Sequence, residues 1–276
     1  MKVIVARSAG FCMGVRRAVD KARSLLSSAE SRVYTDGPLI HNRQMVDRLE
    51  SEGVTECDDP ASLSDGILLV RAHGISPERR RMLQGLPVKL EDATCPDVAR
   101  IQGLVRKYVH KGYQLVIFGD TGHPEVVGLL GYAEGRGHVV GSAEAVSDLP
   151  DLARVCLVAQ STQFVRTYDE VAHAARERFP EVEVLDTICA STKARQKELE
   201  EMARAAEAIV VVGGRHSANT VRLAALARTL LPTFHIQTAD DLEPGDFADF
   251  DVVALTAGAS TPDEIIEAVR EKLQQM

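Results

Sequence analysis

Three times in this chain an apolar strand pattern runs into a cysteine that opens a helix, and this recurrence constrains the fold more than any other feature. One junction lies between Val182 and Gln196, where Asp186-Thr187-Ile188-Cys189 ends the strand pattern. Val88-Lys89-Leu90-Glu91-Asp92-Ala93-Thr94-Cys95 repeats it, again with an Asp three residues before the Cys. The third opens the chain: Val3-Ile4-Val5-Ala6 is followed by Cys12 and a helix from about Gly14. A single such cysteine is ordinarily a small buried hydrophobe. Three in one local setting point to three thiolates delivered to one place.

Apolar periodicity and breakers predict a strict alternation of strands and helices between these junctions. Strands are expected near Val33-Tyr34-Thr35, at Ile67–Val70, Leu115–Phe118, Val139-Val140, Val155–Val158, Ile209–Val212, Thr233–Ile236 and Val252–Leu255, with helices between most of them. The third unit lacks its last strand, and Val3–Ala6 from the other end of the chain supplies it. The expected fold is therefore α/β, with mostly parallel sheets in three lobes, closed circularly by the N-terminal strand and related by pseudo-threefold symmetry around a common centre. The lobes are expected at 13–95, 96–188, and 189–276 plus 1–12.

Spacing supports the repeat. Cys12 to His41 is 29 residues, Cys95 to His123 is 28, and Cys189 to Ser217 is 28. A glycine stands four residues before each polar partner: Gly37, Gly119 and Gly213. Each unit then offers a second polar loop: Arg71-Ala72-His73-Gly74, Gln160-Ser161-Thr162 and Gly258-Ala259-Ser260-Thr261. Parallel α/β sheets bind ligands outside the carboxyl ends of their strands, where all these loops are expected.

A net charge of −8 argues against a nucleic-acid or membrane surface as partner, so any bound anion must be held by a local cluster. No apolar run approaches the roughly 18–20 residues needed to cross a bilayer, and Ser8-Ala9-Gly10 breaks the N-terminal strand where a signal peptide would continue. Five scattered cysteines make no disulfide framework. A reducing, cytoplasmic setting follows.

Three converging thiolates make a metal site. Close Cys-x-x-Cys spacing, usual for structural zinc, is absent, as are the compact four-Cys runs of electron-transfer clusters. An iron–sulfur cluster held by three cysteines leaves one iron without a protein ligand, open to act as a Lewis acid on a substrate oxygen; zinc is the alternative. His41, His73 and His123, with Ser217, Asn219 and Ser260, sit where helices begin and suit an anion cradle, although each His alone reads as a cap or a loop hydrogen bond. Thr261-Pro262-Asp263-Glu264 reads as a capping box, which makes Thr261 structural. Glu125, beside His123, is a candidate general acid or an ordinary first-turn residue. Arg16, Arg17, Arg100 and Arg195 read as solvated or ion-paired. Cys156 reads as buried and inert, Cys57 as a surface residue among acids. His110, His138, His173, His216 and His235 fit no repeat.

Ala9-Gly10-Phe11-Cys12-Met13-Gly14-Val15, Gly37-Pro38-Leu39-Ile40-His41-Asn42, Arg71-Ala72-His73-Gly74 and Asp92-Ala93-Thr94-Cys95-Pro96 resemble the 4-hydroxy-3-methylbut-2-enyl diphosphate reductase family, the LytB-type reductases. Gly122-His123-Pro124-Glu125, Cys189-Ala190-Ser191-Thr192 with Arg195-Gln196, and Thr256-Ala257-Gly258-Ala259-Ser260 extend the resemblance over essentially the whole chain. It implies the last enzyme of the non-mevalonate isoprenoid pathway, an oxidoreductase that converts an allylic alcohol diphosphate to isopentenyl and dimethylallyl diphosphates with loss of water. It implies a central 4Fe–4S cluster on Cys12, Cys95 and Cys189, whose open iron takes the substrate hydroxyl. His41, His73, Ser217, Asn219 and Ser260 match diphosphate-contacting positions; His123 lies beside the hydroxyl, and Glu125 matches the proton donor. Two positions depart from the family pattern. Ser161, before Thr162, stands where Gln-Thr-Thr is usual, so a hydroxyl that orients substrate is kept without its methyl. Ala218 stands where many members have Ser, leaving a backbone N–H for that contact. Flavodoxin or ferredoxin is the implied electron donor, and a monomer or a homodimer is compatible with the sequence.

Two rivals use the same residues. A zinc-dependent phosphohydrolase would be colourless, and an iron–sulfur sensor or diphosphate-binding module would need the cysteines but not Glu125. No basic patch or helix-turn-helix pattern suggests a nucleic-acid regulator.

Overall fold

The chain begins with a short strand, β1 (Lys2–Val5), whose partners lie at the far end of the sequence. In this computed structural model, which describes residues 1–28 and 31–276, β1 pairs in parallel with β12 (Val252–Ala257), Val3 opposite Val253. The expected circular closure is thereby present. Among the described residues the strands form three four-stranded sheets in which every pairing is parallel.

The same topology appears three times. β2 (Val33–Asp36), β3 (Val54–Cys57), β4 (Ile67–Val70) and β5 (Lys89–Asp92) lie in the order β3-β2-β4-β5. β6 (Gln114–Phe118), β7 (Gly137–Val140), β8 (Arg154–Ala159) and β9 (Glu181–Val184) lie in the order β7-β6-β8-β9. β10 (Ala208–Val212), β11 (Thr233–Ile236), β12 and β1 give β11-β10-β12-β1. Parallel strands need crossover connections, and within the sheets α2 (Arg43–Glu52), α3 (Pro77–Gln84), α5 (Pro124–Gly131), α6 (Val165–Arg178) and α8 (Ala218–Arg228) supply them. α1 (Met13–Ser28), α4 (Pro96–His110) and α7 (Ala190–Met202) link the last strand of one sheet to the first of the next in the chain, and α9 (Asp263–Gln274) follows β12.

Central strands read as continuous apolar runs because both faces are covered. Val116, Phe118, Val155 and Leu157 pack with Val171 and Ala175 of α6, while Leu115, Ile117 and Val158 pack on the other face with Ile101 and Val105 of α4. In the sheet closed by β1, Val210, Val212 and Leu255 meet Val269 and Leu273 of α9, and Ile209 and Val211 meet Leu199 of α7 and Leu223 of α8.

Contacts divide the chain into two compact units: Met1–Arg16 with Ile40–Arg48 and Ala190–Met276, and Arg17–Leu39 with Leu49–Cys189. The first contains the sheet closed by β1; the second contains the other two.

Three local features differ from expectation. β3 is an additional strand: Val54-Thr55-Glu56-Cys57 carries too few apolar residues to declare itself, and pairing with β2 creates it. Cys57, its last residue, is half-buried rather than a surface residue. The expected capping box before α9 is absent, because the buried Thr261 hydroxyl donates to the Val212 carbonyl at the end of β10 (3.0 Å) and Pro262 occupies the cap position.

Candidate active site

Cys12, Cys95 and Cys189 each stand one residue before a helix: α1, α4 and α7 respectively. Their backbone tethers are also equivalent. The Cys12 N–H donates to the Ala259 carbonyl (3.0 Å), the Cys95 N–H to Ala72 (2.9 Å) and the Cys189 N–H to Ser161 (3.0 Å). Ala259, Ala72 and Ser161 occupy the loops that follow β12, β4 and β8, the third strand in each sheet's order. A parallel sheet brings these loops to the strand that leads into each cysteine, so the tether follows from the topology.

None of the three cysteines is in a disulfide, and all are half-buried. Cys12 Sγ also accepts the Val15 N–H from the first turn of α1 (3.5 Å). Cys156 contrasts with them: fully buried in β8, its thiol is pushed up to about 12 by burial, with the Glu183 charge adding to the effect. It is a packing residue. Among the described residues, no three His, Cys, Asp or Glu side chains gather tightly enough to hold a single metal ion. A cluster of several irons and sulfides is bulkier than one ion. Each thiol by itself fits such a group in chemistry, being outside any disulfide, partly accessible and at a helix start where amide N–H groups favour anionic sulfur.

In the unit that contains Cys12, polar loops converge around α8. Ser217 caps this helix, its Oγ accepting the Thr220 N–H (3.4 Å), and Ala218 and Asn219 begin it. The first amides of a helix lack intrahelical acceptors and attract anions. Asn219 Nδ2 is buried without a hydrogen-bond partner, so this unit holds a donor group that a bound anion would satisfy. The Ser260 hydroxyl donates to the His41 carbonyl (3.0 Å), which joins two of the expected contact positions. His41 directly precedes Asn42, whose Oδ1 caps α2 by accepting the Met45 N–H (2.9 Å). Close approach of the loops requires Gly258, where a Cβ would lie 2.0 Å from Thr220 Oγ1.

In the other unit, His73 and His123 meet edge to face with ring centroids 5.9 Å apart. His123 caps α5, its Nδ1 accepting the Glu125 N–H (3.2 Å), and Pro124 occupies the first helical position. Glu125 is 2% exposed. Its two carboxylate oxygens accept the Ser161 N–H (2.6 Å) and the Ser161 hydroxyl (2.7 Å). Thr162 Oγ1 accepts from Gln160 Nε2 (3.2 Å), while Gln160 Oε1 accepts the Asp120 N–H (3.0 Å). Fully buried Gln160 thus stitches the loop after β8 to the loop after β6, a role its place beside Ser161 hinted at but did not specify. A nearby recess of about 400 Å³, lined by Asp36, Arg71, Arg79, Pro124 and Val127, contains none of the expected site residues.

Sequence reasoning missed the residues that hold the approaches to the cysteines. Glu198 of α7 accepts the Arg7 and Ser8 N–H groups (2.8 and 2.9 Å) after β1. Asp92 Oδ1 accepts the Thr94 N–H (2.8 Å), and Lys21 donates to the Asp92 carbonyl (3.0 Å). The Asp three residues before Cys95 was the one visible signal.

Fold and site together define a thrice-repeated parallel α/β protein that carries a half-buried cysteine directly before one helix of each repeat. The profile of the LytB protein family matches residues 3–274, and the chain belongs to that family. It is 50% identical, over all of both sequences, to a 4-hydroxy-3-methylbut-2-enyl diphosphate reductase of Opitutus terrae. It is 39% identical to the reductase of that name from Aquifex aeolicus, covering 99% of this chain and 96% of the other. A solved structure of (E)-4-hydroxy-3-methyl-but-2-enyl diphosphate reductase, described as the terminal enzyme of the non-mevalonate pathway, is 39% identical and superimposes over 100% of both chains with a TM-score of 0.74. The reductase structure from Plasmodium falciparum is 27% identical and gives a TM-score of 0.94, covering 99% of this chain and 88% of that one. Among the described residues, no helix is long and apolar enough to cross a membrane.

Proposed function

We propose that this chain is an iron–sulfur reductase of (E)-4-hydroxy-3-methylbut-2-enyl diphosphate. It takes two electrons and two protons, breaks the allylic C–O bond, and yields water with isopentenyl and dimethylallyl diphosphates. Beyond the named relatives, one observation carries this reading: a half-buried cysteine outside any disulfide stands directly before a helix in each of three equivalent repeats. Cys12, Cys95 and Cys189 are the proposed ligands of a 4Fe–4S cluster with one open iron. When bound, that group supplies electrons and a Lewis acid for the substrate oxygen.

The chain's own residues do the rest. His41, His73, Ser217, Asn219, Ser260 and the amide of Ala218 anchor the diphosphate, and this anchoring orients the hydroxyl end. Ser161 and Thr162 align the substrate, with Ser161 holding Glu125 in place. Glu125 delivers a proton to the departing oxygen, assisted by His123, and the allylic carbon skeleton then takes a proton at either end. Segments 13–95, 96–188, and 189–276 with 1–12 are the proposed repeat units, each contributing one ligand. An electron-donor protein, flavodoxin or ferredoxin, and a cytoplasmic setting complete the proposal.

The test is an oxygen-free assay of iron-loaded protein with a chemical reductant and the hydroxylated diphosphate. Formation of both five-carbon diphosphates supports the reading. Release of inorganic phosphate by a colourless, zinc-containing protein would replace it with the hydrolase.

A further inference from the structure

Each helix that begins at a cysteine carries an arginine that reaches the backbone leading to the next cysteine in cyclic order. In α1, after Cys12, Arg17 Nη1 donates to the Thr94 carbonyl (2.9 Å), one residue before Cys95. In α4, after Cys95, Arg100 Nη2 donates to the Asp186 carbonyl (3.1 Å), three residues before Cys189. In α7, after Cys189, Arg195 Nη2 donates to the Gly10 carbonyl (2.6 Å), two residues before Cys12. The arginines stand five, five and six residues after their own cysteines. Each bond lies within one of the two compact units.

We infer that Arg17, Arg100 and Arg195 are positioning residues, each setting the loop from which the following thiol projects. A guanidinium suits this task because it keeps its charge at any accessible pH and reaches a carbonyl from a helix one and a half turns away. A charge-assisted bond to a carbonyl is stronger than a neutral one. Arg195 makes the firmest of the three: it is 4% exposed, and Glu198, one turn further along α7, holds the Arg7 and Ser8 amides of the same lead-in. Arg100 makes the weakest, because its bond is exposed to water. The consequence for cofactor binding rests on the proposed role of the cysteines; the coupling of each arginine to the next thiol does not.

The coupling predicts a crossed pattern that ordinary structural arginines would not produce. Full-length Arg17→Met, Arg100→Met, Arg195→Met and Arg195→Lys are purified without oxygen, stripped of metal and treated with iodoacetamide. The alkylation rate of each cysteine is then followed by peptide mass spectrometry. Arg17→Met is expected to change Cys95 alone, Arg100→Met Cys189 alone and Arg195→Met Cys12 alone. The expected factors are about tenfold where the lost bond is buried and about twofold where water replaces it. Arg195→Lys, which keeps the cation and most of the stem, is expected to fall between wild type and Arg195→Met at Cys12, and it serves as the reading if Arg195→Met does not fold. A uniform change at all three thiols, a change at the cysteine of the same helix, or no change overturns the inference. Absence of iron from the wild-type protein would defeat the proposed function and leave this pattern to decide the coupling by itself.

Discussion

Glu125 and Ser161 are joined at both carboxylate oxygens, by an N–H at 2.6 Å and a hydroxyl at 2.7 Å, in a buried contact between α5 and the loop after β8. The Ser161 carbonyl, in turn, accepts the Cys189 N–H at 3.0 Å. One residue therefore ties the proposed proton donor to the segment that carries a proposed ligand. A shift in that loop moves both.

Glu125→Gln keeps this geometry, because the amide oxygen accepts the Ser161 N–H and the amide nitrogen donates to Ser161 Oγ. Only the transferable proton is lost. Turnover is expected to fall by about 10²–10⁴-fold, the usual worth of a general acid, with iron content and visible absorption unchanged. Steady-state kinetics beside an iron assay checks this; unchanged turnover removes Glu125 from the acid role.

The five cysteines are expected to separate sharply. Cys12→Ser, Cys95→Ser and Cys189→Ser each lower iron content, because a hydroxyl replaces a thiolate ligand. Cys57→Ser and Cys156→Ala retain iron; the latter costs about 1–2 kcal/mol in stability for a small core cavity. Iron and sulfide quantification with urea unfolding reads both effects. Iron loss equal in all five variants would contradict the assignment.

Asn219 Nδ2 is buried without a partner, so Asn219→Ala removes a donor that an anion would satisfy. Pyrophosphate, used as a probe in calorimetry, is expected to bind about tenfold more weakly to Asn219→Ala, with little change in thermal stability. Equal affinity would place the anion elsewhere.

Acid should loosen two cysteine approaches. Burial pushes the Asp92 carboxyl up, but the Thr94 hydroxyl and N–H, together with Arg80, outweigh it and hold the group below its ordinary value. Burial likewise opposes, and bonds from Ser8 and Arg7 outweigh it, at Glu198, which is also held low. For a depressed carboxylate, the stabilising contribution is fully present above the unfolded-state value of about 4 and is lost as pH falls through the depressed value. Amide exchange at Ser8 and Thr94, corrected for intrinsic rates, should show protection that is constant near neutrality and declines below about pH 4. Asp92→Asn should abolish the decline at Thr94. Protection that weakens as pH rises would contradict the sign.

The cysteine junctions were legible because each lead-in strand, although a partly exposed sheet edge, still carries apolar residues before a polar loop that ends in a cysteine. Circular closure was legible because the third repeat lacked the last strand that β5 and β9 supply to the other two, and Val3–Ala6 could fill that place. Bonds between loops were not legible. That Ser161 meets both Glu125 and Cys189 depends on β6, β8 and β9 lying side by side, which no local pattern encodes. The arginines were illegible differently: a lone cation on a helix looks the same whether it pairs with a carboxylate, as exposed Arg16 does with Asp263 (3.6 Å), or holds a distant carbonyl, as Arg195 does. β3 was hidden by its acids, and the buried Thr261 hydroxyl resembled a helix cap until Val212 was found to be its acceptor.

The central claim is that three thiols hold a multi-iron cluster with one iron left for substrate. Mössbauer spectroscopy of the anaerobically purified, iron-57-enriched chain, before and after addition of the hydroxylated diphosphate, tests it most directly. The account predicts that about one quarter of the iron is distinct from the rest and that its signal alone moves when substrate is added. Iron that is absent, or present in equivalent sites that ignore the substrate, would contradict it.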